Sequence, residues 1–183
     1  MAHTDQVIIV GAGPVGAVLA LALRKMDIPV CLIEALDEPE IDCRAASCHP
    51  PTVAMLDDLG LLPIGLEEGL VSPVFHYLDR VTGELIGKFD IGAMQTPPAH
   101  PYVLQWEQYK IVFAVLDLLE KDSGANVRMS TQLLGITQDD NGVCASVRNA
   151  DGEQEDIRGR FLVGSDGGRS TVRKLMDIDF EGF

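Results

Sequence analysis

The first residues whose types and spacing suggest chemistry are Gly11-Ala12-Gly13-Pro14-Val15-Gly16, which form the pattern G-x-G-x-x-G. The pattern follows the β-branched run 7–10 and precedes the helix-forming stretch 17–25. In such a loop the first glycine allows a tight turn, the second lets the backbone approach a pyrophosphate, and the third lets the helix pack closely on the strand. The N–H groups at the helix start would face the phosphates. The motif therefore predicts a dinucleotide site.

Glu34 is the second candidate, because it ends the apolar run 30–34, eighteen residues after Gly16. A carboxylate at the end of the second strand can accept hydrogen bonds from both ribose hydroxyls of an adenosine. The same charge would repel a 2′-phosphate, so NADP is a poor fit to this pocket. These residues predict a bound adenine dinucleotide, and they leave open whether it is FAD or NAD.

The order of the predicted helices and strands indicates how these side chains are positioned. Strand, helix and strand within residues 7–34 form a βαβ unit, which implies a parallel strand pair with a right-handed crossover. Beyond it the patterns predict, in order, a loop over 36–52, a helix over 52–60, antiparallel strands within 71–104, an amphipathic helix over 107–121, a strand at 127–129, a hairpin of 131–138 with 143–149, a strand over 156–163 and a short helix through Met176.

A second glycine-rich segment follows the last predicted strand. The sequence FLVGSDGGRSTVR, residues 161–173, resembles the GADG-x-x-S-x-VR motif of the class A flavoprotein monooxygenases, the family of para-hydroxybenzoate, phenol and hydroxyphenylpropionate hydroxylases. Ser165 replaces the usual alanine, one small residue for another. The resemblance implies that Asp166 and Gly167 lie near the FAD pyrophosphate, in a segment also implicated in NAD(P)H binding. Gly167 and Gly168 permit an unusual backbone path, and Ser170 can cap the following helix.

Two further positions match the family pattern. Arg44 corresponds to the arginine that reaches the FAD phosphates, a role that suits the planar guanidinium group. Gln105 corresponds to the glutamine that precedes the long helix and contacts the ribityl-phosphate region of the flavin. The resemblance runs in the family's order from Val7 to Phe183. The predicted cofactor-binding residues are Gly11, Ala12, Gly13, Pro14, Val15, Gly16, Glu34, Ala35, Arg44, Gln105, Asp166 and Gly167.

The resemblance also implies a fold and a reaction. The fold class is α/β, with a Rossmann-like βαβ FAD-binding domain of the glutathione-reductase-like type and inserted antiparallel strands of a partial substrate domain. The implied reaction is hydroxylation of an aromatic, often phenolic, small molecule by O2, with NADH or NADPH as the reductant. Because the flavin carries this chemistry, no catalytic residue is assigned. We expect His49, His76, His100 and Tyr102 to be loop or surface residues, and Trp106 to be a packing residue.

The amino-acid composition limits the classes of partner that we expect for this chain. A formal net charge of −14 disfavours nucleic acid and anionic membranes, and 46% hydrophobic residues favour a packed core. The four cysteines form no C-x-x-C pair, and Cys48-His49 lacks ligand spacing, so no metal site is predicted. The cysteine pattern and the lack of a signal-peptide pattern predict a cytoplasmic protein. Association into a homo-oligomer is left open.

The predicted domain organisation has three segments: 1–70 in the FAD-binding part, 71–104 in the substrate-domain strands, and 105–183 back in the FAD-binding part. The family's later GD-A-x-H segment is not found before Phe183, so we expect a truncated chain. Two alternatives stay open. One is another FAD oxidoreductase of the same fold, against which Arg44, Gln105 and Asp166 argue. The other, which the truncation favours, is a nucleotide-binding or interaction fragment without turnover.

Overall fold

The computed structural model describes residues 5–42, 45–94, 96 and 98–182. The chain divides into two compact units, Met1–Ile41 with Val112–Phe183 as unit 1 and Asp42–Ile111 as unit 2. The helices are α1 (Pro14–Lys25), α2 (Pro50–Asp58), α3 (Leu62–Glu68), α4 (Gln108–Glu120) and α5 (Thr171–Leu175). The strands are β1 (Val7–Val10), β2 (Val30–Ile33), β3 (Ser47–Cys48), β4 (Leu70–Ser72), β5 (Val74–Leu78), β6 (Leu85–Asp90), β7 (Val103–Gln105), β8 (Ala125–Arg128), β9 (Gln132–Asp139), β10 (Gly142–Arg148), β11 (Gln154–Gly159) and β12 (Phe161–Gly164).

A four-stranded parallel sheet forms the centre of unit 1, in the order β12-β1-β2-β8. Every residue of β1 and β2 is buried, as expected for β-branched and aliphatic runs covered on both faces. Helix α1 connects β1 to β2 and buries Gly16, Ala17, Ala20 and Leu21. The predicted βαβ unit is therefore confirmed.

Helix α1 begins at Pro14, three residues before the helix-forming stretch from which it was predicted. Proline is favoured in the first helical turn because its missing N–H is not needed there and its φ is already helical. Gly13 occupies the N-cap position, and Arg24 and Lys25 lie in the last turn, where their charges complement the helix dipole.

A three-stranded antiparallel sheet, β11-β10-β9, also belongs to unit 1. Its buried residues, among them Val143, Val147 and Ile157, form one core with Ile8 and Ile33 of the parallel sheet. The pairing of β9 with β10 confirms the predicted hairpin of 131–138 with 143–149.

The prediction of one strand over 156–163 was wrong, because two strands of different sheets share that segment. Strand β11 ends at Gly159 in the antiparallel sheet, and β12 begins at Phe161 in the parallel one. The backbone N–H of Arg160 between them bonds to the carbonyl of Gln6. Strand β11 (QEDIRG) is polar apart from Ile157 and Gly159, whereas β12 (FLVG) is an apolar run, so the change of composition marks the boundary.

Unit 2 contains the sheet β3-β7-β4, the hairpin β5-β6 and the helices α2 and α3. The expected inserted antiparallel strands are thus present, and the α/β class is confirmed. The predicted loop over 36–52 contains β3 and the start of α2, which begins at Pro50.

Helix α3 was not predicted, because its sequence LPIGLEE is short and contains proline and glycine. Tertiary packing stabilises it: a Cβ on Gly65 would lie 2.9 Å from the Trp106 ring. Trp106 is fully buried, and its indole N–H donates to the Glu68 carboxylate at 2.9 Å, which confirms it as a packing residue.

Within the described residues, none of the helices has both the length and the apolar character needed to cross a bilayer.

Candidate functional site

The glycine motif forms a tight turn at the end of β1. Gly11 has a φ of +100°, and a Cβ there would lie 2.6 Å from the Ser165 carbonyl oxygen. A Cβ on Gly16 would lie 1.9 Å from the Gly11 carbonyl oxygen. Both positions therefore exclude any side chain, for the reasons that the motif predicts: a left-handed turn and close packing of the helix on the strand.

Gly13 differs from the other two glycines of the motif. Among the described residues, no heavy atom outside its chain neighbours lies within 4 Å of a Cβ built there. The space beside Gly13 is therefore open, in the position where the motif requires room for a pyrophosphate. This opening is the property that a phosphate-binding loop should have, so the residues present fit the group.

The start of α1 supplies donors for an anion. Helix geometry leaves the N–H groups of Val15 and Gly16 without an intrahelical acceptor, since the first such bond runs from Ala17 N to Gly13 O at 2.9 Å. Within the described residues, no side chain caps this end. The dipole of the twelve-residue helix adds a partial positive charge at the same place.

Glu34 lies directly after β2, beside the glycine loop. Its Oε2 accepts a hydrogen bond from the backbone N–H of Ala12 at 2.8 Å, and its Oε1 accepts one from Leu36 at 3.1 Å. The half-buried carboxylate is held by one backbone donor on each oxygen. Each oxygen keeps further acceptor capacity, which two ribose hydroxyls could use. Ala35, the next residue, is exposed.

Asp166 and Gly167 follow β12 and form the turn into α5. The Asp166 carboxylate accepts hydrogen bonds from the Thr171 N–H at 2.6 Å, the Val172 N–H at 3.1 Å and the Ser170 hydroxyl at 2.5 Å. The Ser170 hydroxyl oxygen accepts from the Arg173 N–H, so the predicted cap is confirmed. Gly167 has a φ of +72°, which explains the glycine. Asp166 therefore shapes the turn, and its cofactor contact remains a prediction.

The glycine loop, Glu34 and the Asp166 turn follow the carboxyl ends of three adjacent parallel strands, β1, β2 and β12. Backbone hydrogen bonds continue past the strand ends, from Gly11 N to Ile33 O and from Ser165 N to Val10 O, both at 2.8 Å. All three segments thus lie at one edge of the sheet. Ligands bind at this edge in open α/β sheets.

Of the two remaining predicted residues, the structure describes Gln105. Gln105 ends β7 in unit 2, is half-buried, and accepts a hydrogen bond from the Ser47 hydroxyl at its Oε1 at 2.8 Å. That bond orients the amide, so its NH2 group is the donor available to a ligand. Arg44 lies outside the described residues.

Ser165 is a site residue that the sequence analysis passed over as a conservative replacement. Its hydroxyl donates to the carbonyl oxygen of Val10 at 2.8 Å and lies 3.1 Å from that of Gly11. The sequence signal was present: a hydroxyl replaces alanine directly after a strand next to a glycine turn. The role of this hydroxyl could be recognised only once β12 was known to lie beside β1.

The reactive side chains elsewhere have ordinary surroundings. His100 lies 3.0 Å from Asp57 and packs edge-on against Tyr102, while His49 and His76 are exposed. Burial raises the pKa of the Cys31 thiol to about 11, so it is protonated at neutral pH and unreactive. In the described part of the chain, no group of three or more His, Cys, Asp or Glu could hold a metal ion.

The family described as "FAD binding domain" matches residues 4–183. Para-nitrophenol 4-monooxygenase from Pseudomonas sp. strain WBC-3 is 33% identical over 182 residues, which cover 100% of this chain and 45% of that protein. The crystal structure of p-nitrophenol 4-monooxygenase from Pseudomonas putida DLL-E4 superimposes with a TM-score of 0.91 at 31% identity, over 100% of this chain and 46% of that one.

A third relative is aklavinone-11 hydroxylase, solved as a ternary complex with FAD and aklavinone. It superimposes with a TM-score of 0.83 at 26% identity, over 100% of this chain and 36% of that one. The chain thus spans less than half the length of these three relatives. The resemblance inferred from the two glycine-rich motifs is confirmed, and the chain belongs to the family described as "FAD binding domain".

Proposed function

We propose that this chain binds FAD as the cofactor-binding part of a monooxygenase that hydroxylates a phenolic small molecule with O2 and NADH or NADPH. The observation that carries the proposal is the open space beside Gly13, at the start of α1 and at the same sheet edge as Glu34. Open space alone is shared with turn glycines such as Gly83 and Gly152, so the support comes from its combination with the helix N-terminus and the Glu34 carboxylate.

The parts of FAD are assigned to separate groups of the chain. The pyrophosphate would lie over Gly13 and accept hydrogen bonds from the N–H groups at the start of α1. The Glu34 carboxylate would accept the adenosine ribose hydroxyls. The remaining predicted contacts are backbone contacts near Ala35 and Gly167, side-chain contacts of Asp166 and Gln105, and a phosphate contact of Arg44.

FAD, when bound, supplies the redox chemistry and the activation of oxygen. The residues of this chain bind and orient the cofactor, and none of them is assigned as an acid, base or nucleophile. The substrate class is inferred from relatives that act, by name, on p-nitrophenol and aklavinone. The proposal therefore extends to a phenolic ring and names no particular compound.

Binding without turnover is the second candidate. The chain covers 45% of para-nitrophenol 4-monooxygenase, so FAD binding is proposed for this chain separately from turnover. A cytoplasmic location is also proposed, since Cys31, Cys48 and Cys144 are free thiols.

The test is uptake of FAD by the purified 183-residue chain. We expect flavin absorbance near about 370 and 450 nm to stay with the protein through gel filtration. Gly13→Ala should weaken FAD binding at least about tenfold, because the added methyl group enters the space required by the pyrophosphate. It should leave the unfolding temperature of the apoprotein nearly unchanged, since the methyl group meets no described neighbour.

The matched control is Gly135→Ala in β9, where a Cβ would make an ordinary 3.9 Å contact with Ser146. This variant should bind FAD like the wild type. A colourless wild-type protein that refuses added FAD would refute the proposal. Flavin bound without NADH or NADPH oxidation, with or without phenols, would support the second candidate.

A further inference from the structure

The Ser165 hydroxyl lies between two successive carbonyl groups of the glycine turn. Its Oγ is 2.8 Å from Val10 O and 3.1 Å from Gly11 O. Successive carbonyls of an extended strand point to opposite sides, but the φ of +100° at Gly11 turns both toward the same hydroxyl. One proton shared between two carbonyl oxygens offsets the repulsion of their dipoles. Alanine, the usual residue of the resembled motif, could not do this.

The Gly11–Ala12 peptide group has partners on both sides. Its carbonyl oxygen faces the Ser165 hydroxyl from the β12 side, and its N–H donates to Glu34 Oε2 at 2.8 Å on the β2 side. Because a peptide group is planar and stiff, a change in the orientation of its carbonyl also changes the direction of its N–H. Ser165 and Glu34 are therefore coupled through one peptide group.

We propose that Ser165 is a positioning residue for the cofactor site, which holds the Gly11–Ala12 peptide so that the Glu34 carboxylate is oriented for the adenosine ribose. The inference rests on the proposed FAD binding. The backbone N–H of Ser165 bonds to Val10 O whatever the side chain, so pairing of β12 with β1 does not need the hydroxyl. The side chain adds the bond to the turn itself.

The first test is Ser165→Ala, with the dissociation constant of FAD measured by quenching of flavin fluorescence. Loss of one neutral hydrogen bond in the turn should weaken binding about threefold to tenfold. The control is Ser146→Ala, which removes a hydroxyl bonded to Asp156 in the antiparallel sheet and should leave FAD affinity unchanged. Equal FAD affinity of Ser165→Ala and wild type would overturn the inference and leave the proposed function standing.

The second test uses the apoprotein and needs no ligand. In Ser165→Ala the Ala12 amide proton should exchange with solvent at least about threefold faster by NMR, because its bond to Glu34 is less well oriented. The Ile9 amide in the centre of β1 should exchange at the wild-type rate. Parallel acceleration at both amides would indicate general destabilisation and would overturn the positioning role.

The third test is a double-mutant cycle with Glu34→Gln. If Ser165 acts through Glu34, the loss of FAD affinity caused by Ser165→Ala should fall to less than half its size in the Glu34→Gln background. Strictly additive losses would overturn the coupling. A wild-type chain that takes up no FAD would instead overturn the proposed function, and this inference with it.

Discussion

At the residue scale, the carboxylate of Glu34 is held in one orientation by its neighbours. An isolated carboxylate at a strand end would rotate freely, but here each oxygen accepts one backbone hydrogen bond, from Ala12 and from Leu36. Bonds from N–H groups to a charged acceptor are stronger than neutral ones. The side chain is therefore preorganised, and its negative charge lies where an adenosine ribose would bind. In the proposed site, this charge and position would favour a ribose with a free 2′-hydroxyl over one with a 2′-phosphate.

Glu34→Gln tests whether the charge of this carboxylate contributes to nucleotide binding. The amide keeps the size of the carboxylate but removes its charge and turns one acceptor into a donor, which faces a backbone N–H. We expect ADP affinity to fall about tenfold, as for the loss of one charge-assisted bond. We also expect discrimination against 2′-phosphoadenosine 5′-phosphate to shrink, because the repelling charge is gone. Both affinities can be measured by isothermal titration calorimetry.

The matched control is Glu153→Gln, an exposed acid of unit 1 that lies outside the proposed site. It should bind both nucleotides like the wild type. A Glu34→Gln variant that retained full ADP affinity would show that the carboxylate does not contact the ribose.

The antiparallel sheet β11-β10-β9 packs against the parallel sheet that carries the glycine turn. The core between them is apolar, and an ion pair between Arg128 of β8 and Glu155 of β11 lies at its margin. A hydrogen bond from Arg128 lowers the pKa of the Glu155 carboxyl below its ordinary value of 4.5. A carboxyl whose pKa is lowered in the folded state stabilises the protein above its unfolded pKa, and this stabilisation is lost as the pH falls.

We therefore predict that Glu155→Gln lowers the free energy of unfolding at pH 7 by less than about 1 kcal/mol, since the pair is partly exposed. The difference from wild type should shrink as the pH falls below about 4.5, because the wild-type carboxyl then becomes protonated. Urea unfolding at pH 7 and at low pH measures this. Glu153→Gln again serves as the control, and a difference that grows on acidification would contradict the assignment.

At the scale of the whole molecule, the proposed contacts to the ADP half of FAD, from the glycine loop and Glu34, belong to unit 1. Gln105, which the resemblance assigns to the ribityl-phosphate region, belongs to unit 2. Most of the affinity supplied by unit 1 should therefore be directed to ADP.

Thermal unfolding with fragments of the cofactor tests whether most of the binding affinity is directed to ADP. A ligand that binds only the folded state stabilises it by about 2.7 kcal/mol at one hundred times its dissociation constant. We expect FAD and ADP each to raise the unfolding temperature, and FMN at the same concentration to have little effect. Stabilisation by FMN without ADP would place the main binding energy outside the glycine loop and Glu34.

The sequence by itself determined the dinucleotide loop, the carboxylate at the second strand, the turn at Asp166 and the family. Each is a local pattern: glycines where the backbone must turn or be approached, and an apolar run before them. The hairpin β9-β10 and helix α4 were predictable for the same reason, since periodicity and turn residues act over short distances.

Only the tertiary structure decided which of these segments lie in contact with one another. It divided segment 156–163 between two sheets, stabilised α3 against Trp106, and placed β12 beside β1. That last pairing joins residues more than 150 positions apart, so the contact of the Ser165 hydroxyl with Val10 and Gly11 has no local signal. Non-local strand pairing decides such contacts because the free energy comes from burial and hydrogen bonding between distant segments, which no window of sequence contains.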